Sequence, residues 1–183
     1  MSTYDDFDGV FFSIQALRMY HPICQSKDVE FIVLDNNPDG NHGPVCKTFV
    51  ESAVGGRYVE FKDKSSSFNK YKIVDYANGK YILIIDCHVL IESNGIDNLL
   101  KYYSDNPNCK NLVQGPLWYD ALNDYATHFN PKWSGHMYGV WDKNKAAYEQ
   151  GEPFEIPMQG MGLLYKRWIQ GVWWRRRVYC RKV

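Results

Sequence analysis

The chain has no excess of charge. Its 183 residues carry 21 Lys and Arg against 21 Asp and Glu. Net charge therefore points to neither nucleic acid nor a membrane surface as a partner. No CxxC pair occurs, and the five cysteines (Cys24, Cys46, Cys87, Cys109, Cys180) are odd in number and scattered. That fits a reducing compartment, with the cytoplasm the expected location, better than a disulfide framework. No apolar run approaches the roughly 20 residues of a membrane span. Residues 1–8 are polar and acidic, unlike a signal peptide. No repeat is found, and no low-complexity segment beyond Ser65-Ser66-Ser67. GxGxxG, the phosphate-binding P-loop, the nucleophile elbow, a Cys/His protease signature and the deaminase pattern are all missing. What is present is 45% hydrophobic, 16% aromatic and 23% charged content, enough for a packed core. The length fits a single domain.

Two apolar runs organise the first half. Val29–Leu34 ends in Asp35-Asn36-Asn37-Pro38-Asp39-Gly40, and Tyr81–Ile85 ends in Asp86-Cys87-His88. Continuous apolar runs closed by polar residues read as buried parallel strands. Between them lie helical patterns. Asp5 or Asp6 caps one with the stripe Val10, Ile14 and Leu17. Val45, Phe49 and Val50 mark a second, 65–76 a third, and Ile96, Leu99, Leu100 and Tyr103 a fourth. Tyr58–Phe61 and Asn111–Gly115 are weaker strands. Alternation of this kind predicts an α/β fold with a mostly parallel sheet and helices on both faces. Ligands of such sheets bind at the carboxyl ends of the strands, where Asp35 and Asp86 fall. The aromatic stretch Trp118–Phe154 reads as loops and short elements covering the site.

Asp86 and His88 are the sharpest candidates for chemistry. Two apart on extended backbone, they point the same way and reach one divalent cation. A carboxylate with an imidazole suits Mn²⁺ or a similar metal, a Lewis acid for a diphosphate leaving group. The competing reading is a strand-end Asp capping the next turn, with His88 packed beside it. Asp35 is an acceptor for a uracil imide or a ribose hydroxyl, or else the start of an Asx turn. Gly160 and Gly162, in Pro157–Gly162, permit close backbone approach to a ligand. His21, His42, His128 and His136 match no zinc spacing and read as surface or core histidines.

Together these segments resemble family-2-like glycosyltransferases of the GT-A (Rossmann-like) fold. Ser2–Asp6 is similar to the end of their first strand, and Val33–Asn37 to their second strand with its uracil-contacting Asp. Gly79–His88 is similar to their hydrophobic segment ending in Asp-x-Asp or Asp-x-His. The His form resembles polypeptide N-acetylgalactosaminyltransferases and phage-encoded glycosyltransferases. Ile156–Leu163 is similar to their Gly-rich donor-sugar segment. The resemblance implies a nucleotide-diphospho-sugar donor, a UDP-sugar first, and a divalent metal (Mn²⁺ or Mg²⁺) held by Asp86 and His88. It implies nucleotide contacts from Thr3, Tyr4 and Asp35, ribose or phosphate contacts from Asn69 or Lys70, and a sugar pocket lined by Gly160 and Gly162. The acceptor, whether glycan, protein or other, is left open. One catalytic domain, 1–183, is expected, with a nucleotide-binding half over 1–116, a donor-sugar and acceptor segment over 117–164, and an atypical tail over 165–183.

Two departures accompany the resemblance. The apolar run expected before Ser2-Thr3-Tyr4 is absent. The tail Gly171–Val183 fits neither a helix face nor a strand alternation, and the aromatic-Gly-Gly-Glu motif expected there is missing. Trp is always TGG, so Trp173-Trp174 before any Arg reads Gly-Gly one nucleotide on. The tail is therefore expected to be frame-shifted from near residues 165–171. Codons other than AGA or AGG across Arg175–Arg177 would exclude this. A basic arm for an anionic partner is the alternative. A chain so altered could be a catalytically impaired nucleotide-sugar-binding remnant. A nucleotidyltransferase is disfavoured, because Thr3–Gly9 lacks the Gly-rich basic loop expected after the first strand.

Overall fold

The computed structural model describes residues 1–62, 69–109, 111–119, 124–151, 153–158, 163–166 and 178–180. The chain divides into two compact units, Met1–Asn94 and Gly95–Val183. The boundary expected near 116 lies inside the second.

The first unit follows the predicted alternation. Its elements are β1 (Ser2–Thr3), α1 (Phe7–Tyr20), β2 (Ile32–Asp35), α2 (Gly43–Thr48), β3 (Arg57–Glu60), α3 (Asn69–Tyr76) and β4 (Tyr81–Ile84). All four residues of β2 are buried, as a strand covered on both faces requires. It pairs in parallel with β1 (Ser2 opposite Leu34) and with β3 (Val33 opposite Tyr58). On its other side β1 meets the chain just past β4, through a parallel bridge between Ser2 and Asp86. The strand order is thus β3-β2-β1 followed by the Asp86 segment. The two residues of β1 lie between β2 and that segment.

Helix α1 buries Val10, Ile14 and Leu17, the predicted stripe, and adds Ser13. In α2 the stripe is shifted. Val45 is exposed and Cys46 buried, because a π-helical turn over Phe49–Val54 follows directly and rotates the face that carries Val50. Phe49 packs edge-on against Phe7 and tilted against Phe11, joining this turn to α1.

The second unit holds α4 (Gly95–Asp105), β5 (Leu112–Gln114), β6 (Leu117–Tyr119), β7 (Asp124–Ala126), β8 (His128–Ser134), β9 (Met137–Asp142), α5 (Lys145–Gln150), β10 (Phe154–Ile156), β11 (Leu163–Lys166) and β12 (Val178–Cys180). Of the predicted stripe in α4, Ile96, Leu99 and Tyr103 are buried and Leu100 is half-buried. Unlike the first unit, this one has a mixed sheet. β12 runs parallel to β5, while β11 runs antiparallel to β5 and β10 antiparallel to β12. So 178–180 forms a strand where the sequence shows no alternation, and Gly171–Arg177 lie outside the described residues. The stretch read as loops and short elements contains two antiparallel pairs, β6 with β7 and β8 with β9. Stacked rings hold them. Phe129 lies on Trp141 with centroids 3.8 Å apart, and Tyr125 lies on Tyr148 at 4.0 Å. The register of β8 with β9 shifts between Asn130 and Trp133. Pro131 falls there and has no N–H for the ladder, which hides the alternation from a sequence reading.

Candidate metal and nucleotide site

In an open parallel sheet, the crevice between strands whose connections leave in opposite directions is the place for a ligand. In the first unit that place lies between the carboxyl end of β1 and the Asp86 segment. Four side chains converge there: Asp6, Asp86, Cys87 and His88. Asp6 is the N-cap of α1. Its Oδ1 accepts from the Gly9 amide at 2.9 Å, and its Oδ2 is left to face Cys87 and His88. Gly9 is needed for this approach. A Cβ there would lie 2.4 Å from Asp6 Oδ2 and 2.7 Å from the Cys87 carbonyl oxygen. Ser13, a hydroxyl in an otherwise apolar stripe, donates to that same carbonyl at 2.8 Å. This explains why α1 buries a polar residue.

The distances around the imidazole are even. His88 Nδ1 lies 3.8 Å from Asp6 Oδ2, and Nε2 lies 3.9 Å from Asp86 Oδ2. The Cys87 thiol donates to Asp6 Oδ2 at 3.3 Å and lies 3.9 Å from His88 Nδ1. The backbone turns at Cys87-His88 instead of staying extended. The turn, held by Ser13 beneath it, still leaves His88 Nε2 facing Asp86. Cys87 is buried, while the His88 side chain is 63% exposed and that of Asp86 only 14%. Burial first, and then the Asp6 carboxylate that accepts its proton, push the Cys87 thiol up to about 11. Two metal–ligand bonds of about 2.0–2.2 Å span up to about 4.4 Å end to end. The 3.9 Å between His88 Nε2 and Asp86 Oδ2 is within that reach, and a carboxylate with an imidazole is a donor pair of borderline softness.

Asp35, at the end of β2, stands in a different environment. It is 1% exposed. Its Oδ1 accepts from the Asn37 amide at 2.8 Å, the Asx turn that Asn-Asn-Pro-Asp-Gly suggests, and its Oδ2 accepts from the Tyr58 hydroxyl at 2.5 Å. Burial, then this bond, drives the Tyr58 phenol well above its ordinary range. The neighbouring thiol of Cys46 is pushed up to about 12 by burial and then by the Asp35 charge.

Of the other sequence candidates, Tyr4 is 63% exposed beside the end of β1. Thr3 is buried, and its Oγ1 donates to the Asp6 carbonyl at 3.2 Å. Asn69 and Lys70 start α3, with side chains outside the described residues. Gly160 and Gly162 also lie outside them. Asp5 adopts a left-handed φ of 52°. Its carboxylate accepts from the His42 amide at 2.9 Å and its carbonyl from His42 Nδ1 at 2.8 Å. Strain of this kind gathers where a chain must turn sharply beside a site. His21 is buried with Nε2 3.2 Å from the Ile91 carbonyl oxygen, His128 lies in β8 beside Thr127, and His136 is exposed. Sequence reasoning took Asp6 for a cap only and missed Cys87 as a donor. The signal was Gly9, three residues past the capping Asp.

No protein-family model matches the chain, and no curated protein does. Among solved structures, 4-diphosphocytidyl-2C-methyl-D-erythritol synthase from Anaerococcus prevotii is 10% identical with a TM-score of 0.44, covering 89% of this chain and 62% of that one. This chain thus spans less than two thirds of that enzyme. A197 from STIV is 13% identical with a TM-score of 0.39, covering 76% of this chain and 74% of that one. At these scores neither likeness carries a functional argument. No helix among the described residues is long and apolar enough to cross a membrane.

Proposed function

We propose that this chain is a metal-dependent glycosyltransferase that takes its sugar from a nucleotide-diphospho-sugar, a UDP-sugar first. The observation that carries the reading is the gathering of Asp86, His88 and Asp6 at the carboxyl-end crevice of a parallel sheet. A Mn²⁺ or Mg²⁺ bound by Asp86 and His88 would act as a Lewis acid toward the departing diphosphate. The rest falls to the chain's own residues. Tyr4, exposed at the end of β1, offers a ring face to the nucleotide. Thr3 fixes the Asp6 carbonyl and so the start of α1. Asp35 is assigned to the base or ribose, and its bonds to Tyr58 and Asn37 hold it in place. Asn69 and Lys70 are assigned to ribose or phosphate, and Gly160 and Gly162 to the sugar.

Calorimetric titration of UDP, with and without Mn²⁺, tests the reading beside an Asp86→Ala control. Binding that needs Mn²⁺ and is lost in the control is expected. Binding that ignores both the metal and the substitution would overturn it.

A further inference from the structure

Asp86 and His88 do not use all the donors at the crevice. Asp6 and Cys87 stand 81 residues apart in sequence, yet Asp6 Oδ2, Cys87 Sγ and His88 Nδ1 all lie within 4.8 Å of one another. We infer that these three atoms form a binding site for Zn²⁺. It does not rest on nucleotide-sugar transfer, and its test contains no nucleotide.

Three features carry it. The first is spacing. The pairwise separations are 3.3, 3.8 and 3.9 Å. Ligands at the usual 2.0–2.3 Å around tetrahedral zinc stand about 3.4–3.6 Å apart. Small side-chain shifts therefore close the site, with no change of backbone. The second is donor chemistry. A sulfur, an imidazole nitrogen and a carboxylate oxygen favour Zn²⁺ or Co²⁺ over the hard Mg²⁺, which prefers oxygen alone. On binding, the S–H bond of Cys87 breaks, its proton goes to water, and the thiolate pair forms the metal bond. The third is support. The Gly9 amide holds the Asp6 carboxylate from behind, and Ser13 holds the Cys87 carbonyl. The exposed edge of His88 gives access and leaves a fourth position open to water.

Cobalt(II) added to the full chain, with a thiol-free reductant, is the test. Near-ultraviolet sulfur-to-cobalt charge transfer is expected, removed by equimolar Zn²⁺ and absent in Cys87→Ser. Competition with a chromophoric chelator then reads Zn²⁺ affinity. It should fall at least about tenfold in Asp6→Asn and in His88→Ala. Asp6→Asn is informative even if Cys87→Ser folds poorly, because Asn still caps α1. A folded wild type without the charge-transfer band, a band that survives Cys87→Ser, or Asp6→Asn affinity within about twofold of wild type would each overturn the site.

Discussion

Asp35 and Asp86 look alike in sequence, each closing an apolar strand, but they stand in opposite environments. Asp35 is sealed beneath Tyr58, with both oxygens accepting hydrogen bonds. Asp86 belongs to an open cluster whose members stand 3.3–3.9 Å apart, too far in most cases for ordinary hydrogen bonds. A carboxylate with its partners in place contributes to stability. Carboxylates and an imidazole held near one another with room between them contribute little, and are the arrangement a cation would complete. The carboxyl edge of one sheet thus holds one acid sealed by its partners and one left beside an open crevice, a difference that the shared signature alone does not show.

The largest effect on stability is expected at the sealed acid, Asp35. Asp35→Ala strands the buried Tyr58 hydroxyl and frees the Asn37 amide. Loss of a hydrogen-bonded buried charge of this kind costs about 2–4 kcal/mol. Urea denaturation should show a lower midpoint with an unchanged slope. A midpoint equal to wild type would mean that the Asp35 environment is no more demanding than the open cluster.

Alkaline pH distinguishes the two acids less sharply, since a buried thiol lies beside each. Cys46 is raised to about 12 and Cys87 to about 11, from an ordinary 9.0. Folded values above the unfolded ones mean that the unfolded chain loses these protons first. The stability contributed is complete below pH 9.0 and is lost as pH rises toward 11 and 12. At about 1.4 kcal/mol per unit, the loss is on the order of 2 kcal/mol for each thiol by about pH 10.5. Denaturation at about pH 8 and about pH 10.5 checks it. Cys46→Ala should flatten the decline, and a stability that rises over this range would contradict the assigned burial of both thiols.

Much of this was legible in the sequence, and the limits are physical. The strands β2 and β4 and the inner face of α1 could be read because burial on both faces, or along one stripe, leaves an apolar pattern. The closeness of Asp86 and His88 could be read because they are neighbours in the chain. The partnership of Asp6 with Cys87 could not, since it depends on how α1 leaves the short β1. Nor could the Tyr58 bond to Asp35, a match between adjacent strands that no local pattern records. The hairpins of the second unit were missed for a further reason. Their stacked aromatics and Pro131 break the two-residue period by which strands are recognised.

The smallest effect on stability, and the sharpest test of the contrast, is expected at His88. Its side chain is 63% exposed, and its nearest carboxylate oxygens are 3.8 and 3.9 Å away. Exposed pairs at such distances are worth little, because water screens the charges and the side chain keeps its freedom. His88→Ala should therefore change folding stability by no more than about 0.5 kcal/mol. The same substitution removes an imidazole donor from between Asp6 and Asp86, so Mn²⁺-dependent UDP binding should weaken at least about tenfold in calorimetry. Lost binding with retained stability assigns His88 to ligand chemistry alone. If His88→Ala destabilises the chain as Asp35→Ala does, the imidazole is a structural link between α1 and the Asp86 turn, and the open cluster is a second sealed one.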